Sequence, residues 1–169
     1  MNLPKRKSTR LKNYDYSTPG AYFITICVKG RKELLGHIVG NGVYDIPQMI
    51  LSEQGKILDK YIQFMSNKYS HIKIQKYIIM PNHFHLIVMI TDYNNKENGL
   101  SQAPNPTNNE MSKFVSLLKR YCNREYGKNI WQSSYNDHII RGEKDYQKIW
   151  EYIDTNVIRW EKDCFYTNL

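Results

Sequence analysis

The sequence predicts an α+β fold in which helices cover an antiparallel sheet mainly on one face. Segments rich in β-branched and aromatic residues alternate along the chain with segments whose apolar residues recur at helical spacing. The predicted order is strand, hairpin, helix, strand, strand, helix, short strand and helix. The 169 residues show no internal repeat, so we expect a single domain over residues 1–169.

The first half of the chain predicts a strand, a hairpin and a helix. Residues 20–30 are rich in β-branched and aromatic residues and have glycine at both ends, which is typical of a strand. Asn41-Gly42 indicates a hairpin turn between two short strands in residues 34–46. Pro47 is expected to open a helix. The apolar residues that recur at helical spacing after it are Ile50, Ile57, Leu58, Tyr61 and Met65.

Two neighbouring strands follow, and the second carries two histidines. Residues 71–80 alternate at first and then become continuously apolar, which predicts a strand. A Pro81-Asn82 turn then sends the chain back through the segment HFHLIVMI, residues 83–90, as an antiparallel neighbour. Because this segment is apolar on both faces beyond the histidines, we expect a central strand that is covered on both sides.

The second half predicts a polar loop, two helices and a short strand. Residues 92–109 are rich in Asn, Pro and Gly, which favours a mobile loop. We expect helices over residues 110–126 and 143–159, with a short strand at residues 138–141 between them. The apolar stripe of the first of these helices comprises Phe114, Leu117, Leu118 and Tyr121.

The charge of the chain points to a polyanionic partner. Twenty-four Lys and Arg against 16 Asp and Glu give a net charge of +8, and nucleic acid is the commonest partner of so basic a chain. Much of the excess lies in a basic N-terminal arm, residues 1–19, where basic residues precede Tyr14 and Tyr16. Such an arm can hold phosphates and stack on unpaired bases, or it can simply be a solubilising tail. Its basic residues are Lys5, Arg6, Lys7, Arg10 and Lys12.

Several other classes of protein are disfavoured. The three cysteines, Cys27, Cys122 and Cys164, include no C-x-x-C pair, which argues against a disulfide framework and a cysteine zinc site and suits a reducing cytosol. No apolar run is long enough for a membrane span, and the first residues lack the apolar core of a secretory signal. We therefore expect a cytoplasmic protein without a membrane partner.

The histidine pair is the first candidate for chemistry. Side chains alternate along a strand, so His83 and His85 share one face while Phe84 points to the other. The two positions are about 7 Å apart along the strand. Their imidazoles can converge on a metal ion, on a phosphate or on backbone carbonyls.

The last predicted helix is the second candidate. Ile149, Tyr152, Ile153 and Asn156 form one helical stripe, so Tyr152 and Asn156 lie one turn apart on an inward face. If this helix crosses the histidine strand, the two imidazoles and Asn156 can surround one divalent ion with Tyr152 beside it. The alternative role for Asn156 is the C-cap of the helix, and Tyr121 is the rival for a tyrosine role.

This grouping suits cleavage of a phosphodiester. A phenol with a pKa near 10 is a poor nucleophile at neutral pH unless a nearby positive charge favours the phenolate. Mg²⁺ or Mn²⁺ can supply that charge while it binds the non-bridging phosphate oxygens, and imidazole ligands favour Mn²⁺. A covalent phosphotyrosine would conserve the bond energy, so that the cut strand can be rejoined.

Four segments together resemble the REP-associated tyrosine transposases, which belong to the single-tyrosine branch of the HUH nucleases. They are RLKNYDYSTPGAYFITICVKGR, YIIMPNHFHLIV, IWQSSYNDHIIRGEKDY and YIDTNVIRWEKD. The resemblance implies a ferredoxin-like sheet, the HUH nuclease fold, with His83 and His85 as metal ligands. It makes Tyr152 the nucleophile, which leaves a 5′-phosphotyrosine and a free 3′-OH, and Asn156 the residue that completes the metal site.

The resemblance also implies partners. Similar proteins act in DNA transposition and recombination on single-stranded DNA near imperfect hairpins, as monomers or homodimers. The basic arm and Arg141 would then contact DNA. Val157 departs from the family pattern, which usually has proline after the asparagine, so we expect the helix to run on past Asn156. The alternative function is a non-catalytic module that binds hairpin DNA or RNA on the same fold.

Overall fold

The fold is organised around one four-stranded sheet. The computed structural model describes residues 14–40, 45–91 and 109–166. In chain order its strands are β1 (Gly20–Cys27), β2 (Gly36–Val39), β3 (Gln48–Leu51), β4 (Ile72–Ile79), β5 (His83–Ile90) and β6 (Asn136–Ile140). Its helices are α1 (Glu53–Lys68), α2 (Glu110–Tyr126) and α3 (Glu143–Thr155). The predicted order of elements is confirmed.

The strand order is β4-β5-β1-β6, and all neighbours are antiparallel. With α1 between β1 and β4 and α2 between β5 and β6, this is the ferredoxin-like arrangement that the family resemblance implies. The histidine strand β5 is central, as predicted. In its register with β1, Cys27 lies opposite His83, and Thr25 lies opposite His85.

The main core lies between the sheet and helices α1 and α2. One face of β1 and β5 packs on these two helices, and each fully buried aliphatic or aromatic side chain contributes about 1.5–3 kcal/mol. The helix α3 lies on the opposite face, so two of the three helices share one face. The fully buried residues of this core include Tyr22, Ile24, Ile26, Phe84, Leu86, Val88, Leu58, Ile62, Met65 and Leu118.

The prediction that Pro47 opens a helix is wrong. Pro47 directly precedes β3, which contains Ile50 and pairs with β2. The helix α1 begins only after Ser52, whose Oγ accepts a hydrogen bond from the backbone N–H of Gly55 at 3.1 Å. The Ser52 hydroxyl satisfies a backbone N–H of the first turn that would otherwise be unpaired, whereas a proline side chain has no atom that can accept this bond. The serine cap therefore sets the start of this helix.

The ends of the later helices differ in how well they were predicted. The bounds of α2 agree with the prediction, because the Asn109 side chain accepts from the N–H of Ser112 and Gly127 adopts a left-handed φ of 69°. The prediction for α3 is too long by four residues. It ends at Thr155, with Asn156 as its C-cap, and the chain then turns towards a 3-10 turn at Trp160–Lys162.

Several predictions lie outside the described residues. They concern the arm residues Lys5, Arg6, Lys7, Arg10 and Lys12, the Asn41-Gly42 turn, and the predicted loop at residues 92–109 apart from Asn109. The strand that pairs with β2 in the hairpin is β3, which begins at Gln48. Among the described helices, none combines the length and apolarity that crossing a membrane requires.

Candidate active site

The two histidines converge on one point. His83 and His85 lie on the face of β5 that is directed at α3, and they are 0% and 1% exposed. Their Nε2 atoms are only 2.9 Å apart. The sequence places both side chains on one face, and the structure turns both rings so that the same nitrogen of each meets the other.

The amide of Asn82 fixes the orientation of His83. The Asn82 Nδ2 donates to the backbone carbonyl oxygens of Phe165, at 2.8 Å, and of Arg31, at 3.2 Å. Its Oδ1 is therefore the atom 2.8 Å from His83 Nδ1, and it can only accept. His83 thus carries its proton on Nδ1 and presents the lone pair of Nε2 to the site.

The hydroxyl of Thr25 orients His85 but does not fix its tautomer. Its Oγ1 lies 2.8 Å from His85 Nδ1, across the β1–β5 pair. A hydroxyl can donate or accept, so it supports either tautomer of His85. Without an ion, His85 Nε2–H can donate to the lone pair of His83. With the proton on Nδ1, both Nε2 lone pairs are available to a ligand.

Burial keeps both imidazoles neutral. It lowers the pKa of His83 to about 4, although the nearby Asp163 carboxylate opposes the shift, and it lowers the pKa of His85 well below 6.5. At neutral pH both rings therefore have a free nitrogen lone pair, the form in which histidine binds metals.

Tyr152 stands beside this pair on α3. Its Oη lies 3.3 Å from His85 Nε2 and donates to Asp163 Oδ2 at 3.0 Å. Its ring packs edge-on against Phe23, with 6.0 Å between ring centroids. Burial, followed by the negative charge of Asp163, raises the pKa of the phenol, so the hydroxyl is protonated in this arrangement.

Lys76 links α3 to the sheet by a cation–π contact and an ion pair. Its ammonium lies 3.9 Å from the ring centroid of Trp150 and forms an ion pair with Asp154 at 2.6 Å. Both partners are on α3, whereas Lys76 is on β4. Together with buried Ile153, these contacts hold Tyr152 above the histidine strand.

Asn156 also points into the site, one turn after Tyr152. It is 1% exposed, and its Nδ2 donates to Asp163 Oδ2 at 3.1 Å. Its Oδ1 is buried and has no hydrogen-bond partner among the described residues. Asn156 is the C-cap of α3, and its side-chain carbonyl oxygen points inward, so a role as a metal ligand stays a prediction.

Asp163 is a site residue that no sequence pattern singled out, as is Thr25. One carboxylate oxygen and one nitrogen of each histidine lie within 4.8 Å of one another. This is the only group of three potential metal-ligating His, Cys, Asp or Glu side chains that lies so close within residues 14–40, 45–91 and 109–166. Asp163 follows the end of α3, so no helical period connects it with Tyr152. Its presence in the family-like segment YIDTNVIRWEKD was the only available signal.

The segment around Asp163 covers the histidines. The Phe165 ring lies 4.4 Å from the His83 ring and the Trp160 ring lies 5.9 Å from it, measured between centroids. Arg31 anchors this segment, because its guanidinium donates to the Cys164 carbonyl at 2.9 Å and lies 5.3 Å from the Phe165 centroid. The low exposure of the histidines follows from this cover.

The rival tyrosine lies elsewhere. Tyr121 is on α2, which packs on the other face of the sheet, and its ring stacks on Tyr61 at 5.5 Å. Lys68 donates to its Oη at 2.8 Å and thereby lowers its pKa. Of the two candidate tyrosines, only Tyr152 adjoins the histidines.

Two further residues of the segment IWQSSYNDHIIRGEKDY lie in different surroundings. Trp131 is 1% exposed and packs edge-on against Phe84 at 5.4 Å, so it belongs to the core. Arg141 is exposed just after β6, and its backbone N–H donates to Asp145. Arg141 is therefore free to meet solvent or a ligand, at some remove from the histidines.

The donor set fits a divalent ion. Two ligand nitrogens that are each about 2.1 Å from an ion, at right angles, are about 3.0 Å apart, and the two Nε2 atoms are separated by 2.9 Å. Both rings are neutral, and a carboxylate and an unpaired carbonyl oxygen lie beside them. Nitrogen and oxygen donors in this mixture suit Mn²⁺ and related ions.

Comparison with known proteins first defines the fold class. Superposition on a REP-associated tyrosine transposase bound to a REP hairpin gives a TM-score of 0.62 with 21% sequence identity, over 89% of this chain and 73% of that one. The chain thus has the fold of a REP-associated tyrosine transposase. No protein-family model matches it.

Sequence comparison then gives the family. An uncharacterized protein of Haemophilus influenzae is 34% identical to the chain over 175 residues, which covers 96% of the chain and 94% of that protein. The chain belongs to the same family as this Haemophilus protein.

Proposed function

We propose that the chain is a metal-dependent single-strand DNA transesterase of the REP-associated tyrosine transposase type, either a transposase or a domesticated relative. It would cut and rejoin DNA near hairpins through a 5′-phosphotyrosine intermediate. The observation that carries the proposal is the position of the Tyr152 hydroxyl, 3.3 Å from an imidazole pair whose nitrogens are 2.9 Å apart.

Each residue has a defined part in this chemistry. His83, His85 and Asn156 would hold Mg²⁺ or Mn²⁺, which when bound polarises the non-bridging oxygens of a phosphodiester and favours the phenolate. Tyr152 Oη attacks the phosphorus, the Oη–P bond forms, and the bond from phosphorus to the 3′ oxygen breaks. The phenolic proton, directed at Asp163 Oδ2 in this structure, finally replaces that bond on the 3′ oxygen.

The DNA partner is supported by charge and by similarity. A net charge of +8 favours a polyanion, and the structural relative is bound to a REP hairpin. Exposed Arg141 and the basic arm would contact the phosphates or bases. The active unit would be a monomer or a homodimer.

A second candidate function is a hairpin-binding module that does not cut DNA or RNA. It is favoured by one observation, the cover that Trp160 and Phe165 form over the histidines. With His83 and His85 at 0% and 1% exposure, a phosphodiester reaches them only if this segment moves.

A trapping assay separates the two functions. Labelled single-stranded hairpin DNA with its natural flanking sequence is mixed with protein and Mn²⁺ or Mg²⁺ and analysed on a denaturing gel. We expect a metal-dependent covalent adduct with the wild type and with Tyr121→Phe, the matched control. Tyr152→Phe and His85→Ala should give none. DNA retarded on a native gel, without an adduct under any metal or flanking sequence, would instead support the binding module.

A further inference from the structure

Asp163 lies beside the two histidines. One of its carboxylate oxygens lies within 4.8 Å of a ring nitrogen of each of His83 and His85, and the carboxylate accepts hydrogen bonds from Tyr152 and Asn156. No Lys or Arg among the described residues forms an ion pair with it. A partly buried carboxylate thus lies beside two neutral imidazoles, and Arg31, which binds the neighbouring Cys164 carbonyl, makes no ion pair with it.

We propose that Asp163 is a protein ligand of the ion, so that the site is a two-histidine, one-carboxylate centre that binds Mn²⁺ in preference to Mg²⁺ before DNA arrives. The inference rests on the metal ion of the proposed function but not on DNA cleavage. Two neutral imidazoles leave the charge of a dication uncompensated, and a carboxylate supplies the missing negative charge. Imidazole ligands select against Mg²⁺, which prefers oxygen ligands and retains its waters.

Asn156 then has two roles, one towards Asp163 and one towards the ion. Its Nδ2 orients the Asp163 carboxylate at 3.1 Å, and its unpaired Oδ1 remains as a further donor. Polar side chains that orient a ligand support metal affinity although they do not touch the ion. The family resemblance implies His83, His85 and Asn156 as the ligands. The structure adds Asp163, which the turn after Thr155 brings back over the site.

The competing explanation is purely structural. Asp163 Oδ1 accepts from the backbone N–H of Phe165 at 2.7 Å, so the carboxylate also shapes the segment that covers the site. In that case Asp163→Asn would change the stability of the segment and leave metal affinity intact. An asparagine keeps the size of the side chain and an oxygen that can accept this bond, so the variant removes the charge and the acceptor for Tyr152 and Asn156 while the bond that shapes the segment remains.

Metal binding without DNA tests the proposal. Free Mn²⁺ is measured by electron paramagnetic resonance during titration of the full chain, and competition with Mg²⁺ gives the selectivity. We expect one strong Mn²⁺ site, weakened at least about 100-fold by Asp163→Asn, because loss of a direct ligand should cost no less than loss of an outer partner. Glu161→Gln, which removes an exposed carboxylate from the same segment, is the matched control and should bind like the wild type. Thermal unfolding in chelator establishes that each variant is folded.

The outcomes separate this inference from the proposed function. Wild-type affinity in Asp163→Asn, with loss of binding in His83→Gln, would overturn the role of Asp163 and keep the histidine metal site. Equal affinity in all variants would overturn the metal site itself and this inference with it. Loss of binding in Asp163→Asn would support the inference even if no DNA adduct forms, and in that case only the proposed cleavage fails.

Discussion

Lowering the pH should destabilise the metal-free protein through His83. Its pKa is about 4 in the folded chain, against about 6.5 in the unfolded chain. Above pH 6.5 neither state binds the proton, so His83 has no effect. Below that pH His83 binds a proton in the unfolded chain but not in the folded chain. The free energy of unfolding therefore decreases until the pH reaches about 4. A difference of about 2.5 units corresponds to about 3 kcal/mol.

The measurement compares melting curves by circular dichroism between pH 7 and 4.5 in chelator. For a chain of this size, a loss of about 3 kcal/mol lowers Tm by roughly 6–12 °C. His83→Gln should lose less of its Tm over this range, whereas His37→Gln, which changes an exposed histidine on β2, should behave like the wild type. Carboxylate titrations are common to all three proteins and cancel. Equal pH dependence in His83→Gln and the wild type would refute the argument that burial holds His83 neutral.

Three further expectations concern the framework and the proposed DNA contact. Ser52→Ala removes the N-cap of α1 and should lower the free energy of unfolding by about 1 kcal/mol in urea titrations. Phe84→Ala leaves a cavity in the core beneath the histidine strand and should cost about 3–5 kcal/mol in the same titrations. Arg141→Gln should weaken binding of hairpin DNA and reduce the slope of log affinity against log salt by about 1, measured by fluorescence anisotropy. An unchanged slope would exclude a phosphate contact by Arg141.

Local signals predicted the sheet and α2 well. The histidine strand is apolar on both faces beyond His85, and it lies between two neighbours with a helix layer on each side. The bounds of α2 follow from a side-chain cap at Asn109 and a glycine at position 127, and both signals can be identified in the sequence. The prediction from Pro47 was wrong because proline is tolerated just before a strand as well as in the first turn of a helix. The decisive feature was the Ser52 cap.

The candidate site was predictable only in part, for a physical reason. His83 with His85, and Tyr152 with Asn156, are each linked by the period of a strand or a helix, so the sequence places each pair on one face. That the two faces meet follows from tertiary packing, which the family resemblance supplied. Asp163 and Thr25 have no such period. Asp163 returns through an irregular turn, and Thr25 meets His85 only through strand pairing.

Thr25 should be required for metal binding although it does not touch the ion. Its hydroxyl is the partner of His85 Nδ1 at 2.8 Å, and His85 offers its Nε2 lone pair only if Nδ1 keeps the proton. Thr25→Val keeps the shape of the side chain but leaves that N–H buried without an acceptor, which costs about 1–3 kcal/mol. We expect Mn²⁺ affinity to fall about 10–100-fold in the titration by electron paramagnetic resonance. Thr155→Val, which removes a hydroxyl that donates only to the Glu151 carbonyl on α3, should bind Mn²⁺ normally. Unchanged affinity in Thr25→Val would show that the protein does not need Thr25 to set the tautomer of His85, and that the packed rings of Phe23 and Tyr152 suffice to orient it.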